Sequence, residues 1–127
     1  MQLPGGASPT QGFQAAILER GAIVGGIGFH RIDWEQRATT IGYWIAEDFQ
    51  GRGTVTRAAA RLIDHAFDVW ELERIEIRAA PDNRRSRAIP ERLGFHQERV
   101  IPNAERLPYR IAVHVVYVLL SDQWQRR

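Results

Sequence analysis

The chain has no cysteine and no lysine, a single methionine, and no long apolar run. Without cysteine there can be no disulfide, no thiol nucleophile and no sulfur-ligated metal. No stretch approaches the ~20 apolar residues of a membrane helix, and Met1-Gln2-Leu3-Pro4-Gly5-Gly6 does not open a secretory signal. A cytoplasmic protein with no membrane partner is the expectation. All 17 basic residues are arginine, so almost nothing titrates between histidine and tyrosine, and a formal charge of only +2 yields a pI near 9.7. That pI reflects missing titrants more than a strong field, so nucleic acid is not an expected partner. Asp64 and His65 are neighbours on a helical stretch and point about 100° apart, which prevents them from sharing a metal. No histidine pair has zinc-site spacing, so no metal is expected. The absence of Gly-x-Ser-x-Gly removes the nucleophile elbow of serine hydrolases.

What is present suffices for one domain. At 127 residues and 44% hydrophobic content, the chain can bury roughly two-thirds of its unfolded surface. Residues 1 to 12, rich in Gly, Pro, Ser and Thr, read as a disordered lead or the scar of a truncation, 13 to 124 as one domain, and 125 to 127 as the end of a polar tail. Strands are expected at 13–20, 22–32, 38–46, 72–79, 95–101 and 111–120, and helices at 55–70 and 85–93. The helix at 55 carries apolar residues at 55, 59, 62, 63, 66, 67 and 70, the spacing of one buried face. The order β-β-β-α-β-α-β-β predicts an α+β (mixed α/β) fold: a mainly antiparallel six-stranded sheet with two helices.

The most informative stretch joins the third strand to the first helix: Gln50-Gly51-Arg52-Gly53-Thr54-Val55-Thr56. Gly51 and Gly53 permit positive φ and leave no side chain in the way, so several backbone N–H groups can converge. At a helix start those groups are unpaired, and the dipole favours an anion by roughly 0.3–2 kcal/mol. The expected guest is a phosphate or pyrophosphate. A second polar stretch, Asn83-Arg84-Arg85-Ser86, places an amide and a hydroxyl where a strand gives way to a helix. Asn83 could end the strand and Ser86 could cap the helix, or both could meet a ligand lying across the sheet. Arg84, Arg85, Arg87 and Arg92 form a basic cluster open to solvent, to RNA or to a phosphate.

The loop from Gln50 to Val55 resembles the Gln/Arg-x-x-Gly-x-Gly/Ala signature of the GNAT superfamily of N-acyltransferases, with Val55 where that family has Gly or Ala. Asn83-x-x-Ser86, Leu93-Gly94-Phe95, Gly42-Tyr43-Trp44-Ile45 and Val115 to Leu120 with Trp124 look like its ribosomal-protein N-acetyltransferase branch, the RimJ and RimL type. The resemblance spans residues 13 to 124. It implies acetyl-CoA as co-substrate, with its pyrophosphate on Gln50, Gly51, Arg52, Gly53, Thr54, Val55 and Thr56. Its arm would lie against Ile45, Asn83 and Ser86, in a cleft where the third strand splays from the fourth. It also implies Ser86 as proton donor to the departing thiolate, or else Tyr117, because Pro90 stands where many family members carry a tyrosine. Family members normally have a further strand and two helices before the strand at Phe13. Their absence would uncover that sheet edge and invite a homodimer.

For a base the sequence offers Glu35, with Asp33, Glu47 and His30 as other candidates. Deprotonating a lysine-like amine at pH 7 costs about 4.6 kcal/mol, an α-amine only about 1 kcal/mol. A lightly equipped site therefore suits an α-amine such as a protein N-terminus, acetylated by direct transfer in a ternary complex. The alternative is a non-catalytic GNAT-like module acting through dimerisation or a protein partner.

Overall fold

The computed structural model describes residues 11–125. Strands β1 (Gln11–Glu19), β2 (Ala22–Asp33), β3 (Ala38–Ile45), β4 (Arg74–Ala79), β5 (His96–Leu107) and β6 (Arg110–Leu120) alternate with helices α1 (Thr54–Asp68) and α2 (Arg84–Arg92) in the expected order. They form one six-stranded sheet in the spatial order β1-β2-β3-β4-β6-β5. Neighbours are antiparallel except β3 and β4, which run parallel from Ala38↔Arg74 to Ile41↔Ile77. Parallel neighbours need a crossover, and α1 supplies it. No helix among the described residues is long and apolar enough to cross a membrane.

One face of the sheet carries the core. Ile27, Phe29, Ile41, Ile75, Ile77, Tyr117 and Leu119 pack against the apolar stripe Val55, Ala59, Leu62, Ile63, Ala66 and Phe67 of α1, all buried. Truncating a residue as enclosed as Leu62 to alanine costs about 2–5 kcal/mol. On the other face Val116 and Val118 are also buried. Their cross-strand neighbours are Arg78, Arg99 and Glu76. These join Arg74 and Glu98 in a network of ion pairs whose side-chain stems cover the valines.

Three boundaries depart from expectation. Of the lead read over residues 1 to 12, residues 1–10 lie outside the described part, while Gln11 and Gly12 already belong to β1. A Cβ at position 12 would run into the Phe29 carbonyl, so glycine lets β1 begin this early. Residues 126–127 of the tail also lie outside the described part. Before them Ser121–Gln123 forms a 3-10 turn, and Trp124 is buried with its Nε1 donating to Asp64 on α1 at 2.7 Å. Finally, β5 does not stop at Ile101 but runs through Pro102 to Leu107, with a register shift between Ile101 and Glu105. β5 is an edge strand, where a missing N–H removes no ladder bond.

Candidate active site

The sheet opens between β3 and β4. Their pairing ends at Ile41↔Ile77, yet β3 continues to Ile45 and β4 to Ala79. On the β2 side, Ala46 N–H donates to Val24 O at 2.7 Å. Antiparallel alternation therefore turns the backbone groups of Tyr43 and Ile45 away from β2 and into the split. The Gln50 side chain donates from Nε2 to Ile45 O at 3.3 Å, which folds the loop back on the strand and leaves the Ile45 N–H facing the opening.

A cleft of about 220 Å³ occupies this opening on the helix face. Gln50, Gly51, Arg52, Gly53, Thr54, Val55, Thr56, Ile45, Asn83 and Ser86 all line it, so the structure gathers every residue read as a cofactor contact. Gly51 and Gly53 have φ of 78° and 74°, and Gly53 is the N-cap of α1 with no side-chain cap. The first intrahelical bond is Arg57 N–H to Gly53 O, so the amides of residues 54 to 56 have no helical acceptor. Val55 turns its side chain into the core, 4% exposed, and offers the cleft only backbone.

The arginines divide by role. The Arg57 guanidinium lies 3.0 Å from where a Gly53 Cβ would be, and that of Arg85 lies 3.5 Å from the same point on Gly51. Two cations thus flank the glycines. Arg52 instead pairs with Glu19 at 3.3 Å, donates to Asp48 O and stacks over Phe49, so its side chain fastens the loop to the end of β1. Arg84 and Arg92 also line the cleft. Arg87 faces elsewhere, donating to Pro81 O at 2.8 Å and to the Tyr117 hydroxyl at 2.9 Å. The bond to Tyr117, and secondarily the nearby Glu91 carboxylate, hold its guanidinium above the usual arginine range.

α2 starts with its own cap: Asn83 Oδ1 accepts from Ser86 N–H at 3.1 Å. The structural reading of Asn83 and Ser86 is thus met, and both residues also line the cleft, as the ligand reading requires. Pro90 sits in the last turn of α2 and cannot bond the Ser86 carbonyl four residues back. Tyr43 fills that vacancy, its hydroxyl donating to Ser86 O at 2.8 Å. Burial, and secondarily Tyr117, push the Tyr43 phenol well above its ordinary range, so it remains a donor. Sequence reasoning missed Tyr43 and Arg57 as parts of the site, and named Arg85 only within a basic cluster open to a phosphate among other partners. The signal for Tyr43 was Pro90, whose missing N–H requires some other donor for the Ser86 carbonyl.

Two residues read as catalytic fall outside this assembly. Glu35 lies exposed in the turn between β2 and β3, before Ala38, whereas the cleft begins at Tyr43, five strand residues or roughly 16 Å farther on. Asp33, the last residue of β2, accepts from Gln36 N–H across the same turn. Tyr117 is 1% exposed, and its hydroxyl is used twice, accepting from Arg87 and donating to Glu91 Oε2 at 3.1 Å. It locks α2 to β6 and has no proton to spare. Among the described residues no group of three or more acidic or histidine side chains is placed to hold a metal.

Known proteins share this arrangement. The acetyltransferase (GNAT) domain family matches residues 5–96. A Bacillus subtilis (strain 168) protein named "Putative ribosomal N-acetyltransferase YdaF" is 41% identical over 117 residues, covering 90% of this chain and 62% of its own length. Mycobacterium smegmatis RimJ, solved in complex with CoA-disulfide, superposes with a TM-score of 0.81 at 27% identity over 88% of this chain and 54% of that one. The microcin C7 self-immunity acetyltransferase MccE, solved in complex with acetyl-CoA and AMP, gives 0.81 at 32% identity over 87% and 61%. The chain therefore spans less than two-thirds of the length of each of these relatives. A six-stranded sheet split between β3 and β4, with a glycine turn opening α1 beside the split, and a family match over most of its length place this chain in the GNAT acetyltransferase family.

Proposed function

We propose that this chain binds acetyl-CoA in the cleft on the helix face and passes the acetyl group directly to an amine, the α-amine of a protein N-terminus. The observation that carries the reading is the open start of α1, where Gly51 and Gly53 take positive φ, no side chain caps the helix, and two guanidinium groups stand over the glycines. Such a start is a phosphate site by construction. The complexes of RimJ with CoA-disulfide and of MccE with acetyl-CoA support the choice of ligand.

The chain's own residues then have definite tasks. The amides of residues 54 to 56 and the side chains of Arg57 and Arg85 would hold the pyrophosphate. The Ile45 N–H, turned into the split, would receive the arm and polarise the thioester carbonyl. The Asn83 side-chain amide would hold the arm farther along, its oxygen already engaged with Ser86 N–H. The Ser86 hydroxyl would give its proton to the departing sulfur. Tyr43, through the Ser86 carbonyl, sets the position of that hydroxyl across the split.

Titration calorimetry with acetyl-CoA tests the binding, with micromolar affinity expected and no heat at millimolar ligand rejecting it. Given binding, Ser86→Ala should lower kcat about 100-fold with cofactor affinity unchanged. An unaltered kcat would remove Ser86 from the role of acid.

A further inference from the structure

The helix-face cleft carries more positive charge than a pyrophosphate uses. Among the described residues its lining includes four arginines, Arg52, Arg84, Arg85 and Arg92, and no aspartate or glutamate. The chain as a whole has 15 acidic residues and a formal charge of only +2, so the cleft is far more basic than its surroundings. Arg52 is engaged by Glu19 and the Asp48 carbonyl. Arg85 stands over Gly51, and Arg57 of α1 over Gly53, one cation for each phosphate of the bridge. That arrangement does not use Arg92. Yet helical periodicity turns Arg92 to the same cleft: Arg85, Ala88, Ile89 and Arg92 are spaced i, i+3, i+4, i+7 and all four line it, whereas Arg87 and Glu91 turn to Tyr117 on β6. Seven residues put Arg85 and Arg92 roughly 10.5 Å apart along the axis. Ala88 and Ile89 lie between them, so this face of α2 offers two cationic stations with an uncharged interval.

We infer that Arg92 holds the 3′-phosphate of the coenzyme, one ribose away from the pyrophosphate over Gly51, and that the chain thereby selects CoA over its 3′-dephospho form. The inference rests on the reading of the helix-face cleft given above. A 3′-phosphate is a monoester, so unlike the phosphates of the bridge it takes up a second charge above a pKa of about 6 and carries about −1.5 to −2 at neutral pH. It is the group on the donor that best matches a guanidinium, whose paired N–H donors meet two phosphate oxygens at once. The uncharged interval at Ala88 and Ile89 suits the ribose that separates the two anionic groups. Arg92 is exposed, so the contact is screened by salt and sets a preference rather than an absolute requirement.

The test compares CoA with 3′-dephospho-CoA by titration calorimetry in the full chain at pH 7.5. The wild type should bind CoA about tenfold more tightly, and that preference should shrink in high salt and again below about pH 6, where the monoester loses its second charge. Arg92→Gln should remove the preference: affinity for CoA falls about tenfold while affinity for 3′-dephospho-CoA stays within twofold, which also verifies that the variant is folded. Arg106→Gln takes the same charge from an exposed site on β5, outside the cleft, and should leave both affinities as in the wild type. Equal affinities in the wild type, an equal loss for both ligands in Arg92→Gln, or a preference abolished by Arg84→Gln and kept by Arg92→Gln would each overturn the inference. A chain that binds neither ligand refutes the reading of the cleft itself, and this inference with it. A wild type that binds both alike keeps that reading and rejects this inference alone.

Discussion

The two helices start beside one cleft and meet their first amides in opposite ways. α2 carries its own cap, Asn83 Oδ1 accepting from Ser86 N–H, so its start is complete without any ligand. α1 begins at Gly53 with no side-chain cap, and no acidic residue stands in its first turn. Unmet amides at a helix start are a standing cost in an otherwise well-paired structure, and about 1 kcal/mol is what an ordinary capping side chain contributes. The contrast separates a start that serves the fold from one whose amides stay open in the cleft where we propose that the pyrophosphate sits. Both starts are tied to the sheet near Ile45, α1 through Gln50 and α2 through Tyr43, so the open one is held in register with the capped one.

Four changes would break or sharpen that contrast. Gly53→Glu should act most strongly, placing a carboxylate where the anion belongs. Acetyl-CoA affinity is expected to fall about 100-fold, or about 2.7 kcal/mol, read by calorimetry beside a melting curve that verifies the fold. Retained affinity would mean that the open start is not the binding site. Next comes the tether of α2. Tyr43→Phe should destabilise the chain by about 1–3 kcal/mol in denaturant, because the Ser86 carbonyl loses its donor. In a Pro90→Ala background the helix regains its own N–H, and the same substitution should then cost measurably less; equal costs in both backgrounds would disprove the compensation. Asn83→Ala should cost about 1 kcal/mol of stability in denaturant, the worth of an N-cap.

The smallest effect is a control far from both starts. The Arg74 guanidinium, hydrogen-bonded to Glu98, holds that carboxyl below the usual range, with Arg99 adding to it. A depressed folded pKa stabilises above the ordinary glutamate value, and that stability is lost as pH falls through the folded value. Below about pH 4 the wild type should therefore lose stability more steeply than Glu98→Gln, as followed by thermal melts across pH. Acetyl-CoA binding at neutral pH should be the same in both.

Much of the fold was legible because it is periodic. The apolar spacing of α1 identifies a buried face without reference to the rest of the chain and appears where expected, and the strand read over 72–79 is found at Arg74–Ala79 with Ile75, Ile77 and Ala79 buried in alternation. The glycine turn was legible for a similar reason, since positive φ at residues 51 and 53 is a local demand. Boundaries failed where context overrode a local signal. The strand expected over 95–101 continues through Pro102, which on an edge breaks nothing. The site was partly legible. Its loop residues follow from sequence order, but Glu35 was chosen for its chemistry alone, and chemistry carries no information about which end of a strand faces the ligand.

Sequence alone determined the helix and strand periods, the absence of thiol chemistry, and the cradle of amides after Gln50, all properties set by residues within a turn or two of one another. Tertiary structure alone decided where β3 parts from β4, which arginines lean over Gly51 and Gly53, and that Tyr43 answers the Ser86 carbonyl left open by Pro90. Those relations join residues far apart in the chain. They are fixed by strand register and core packing, which no local pattern encodes.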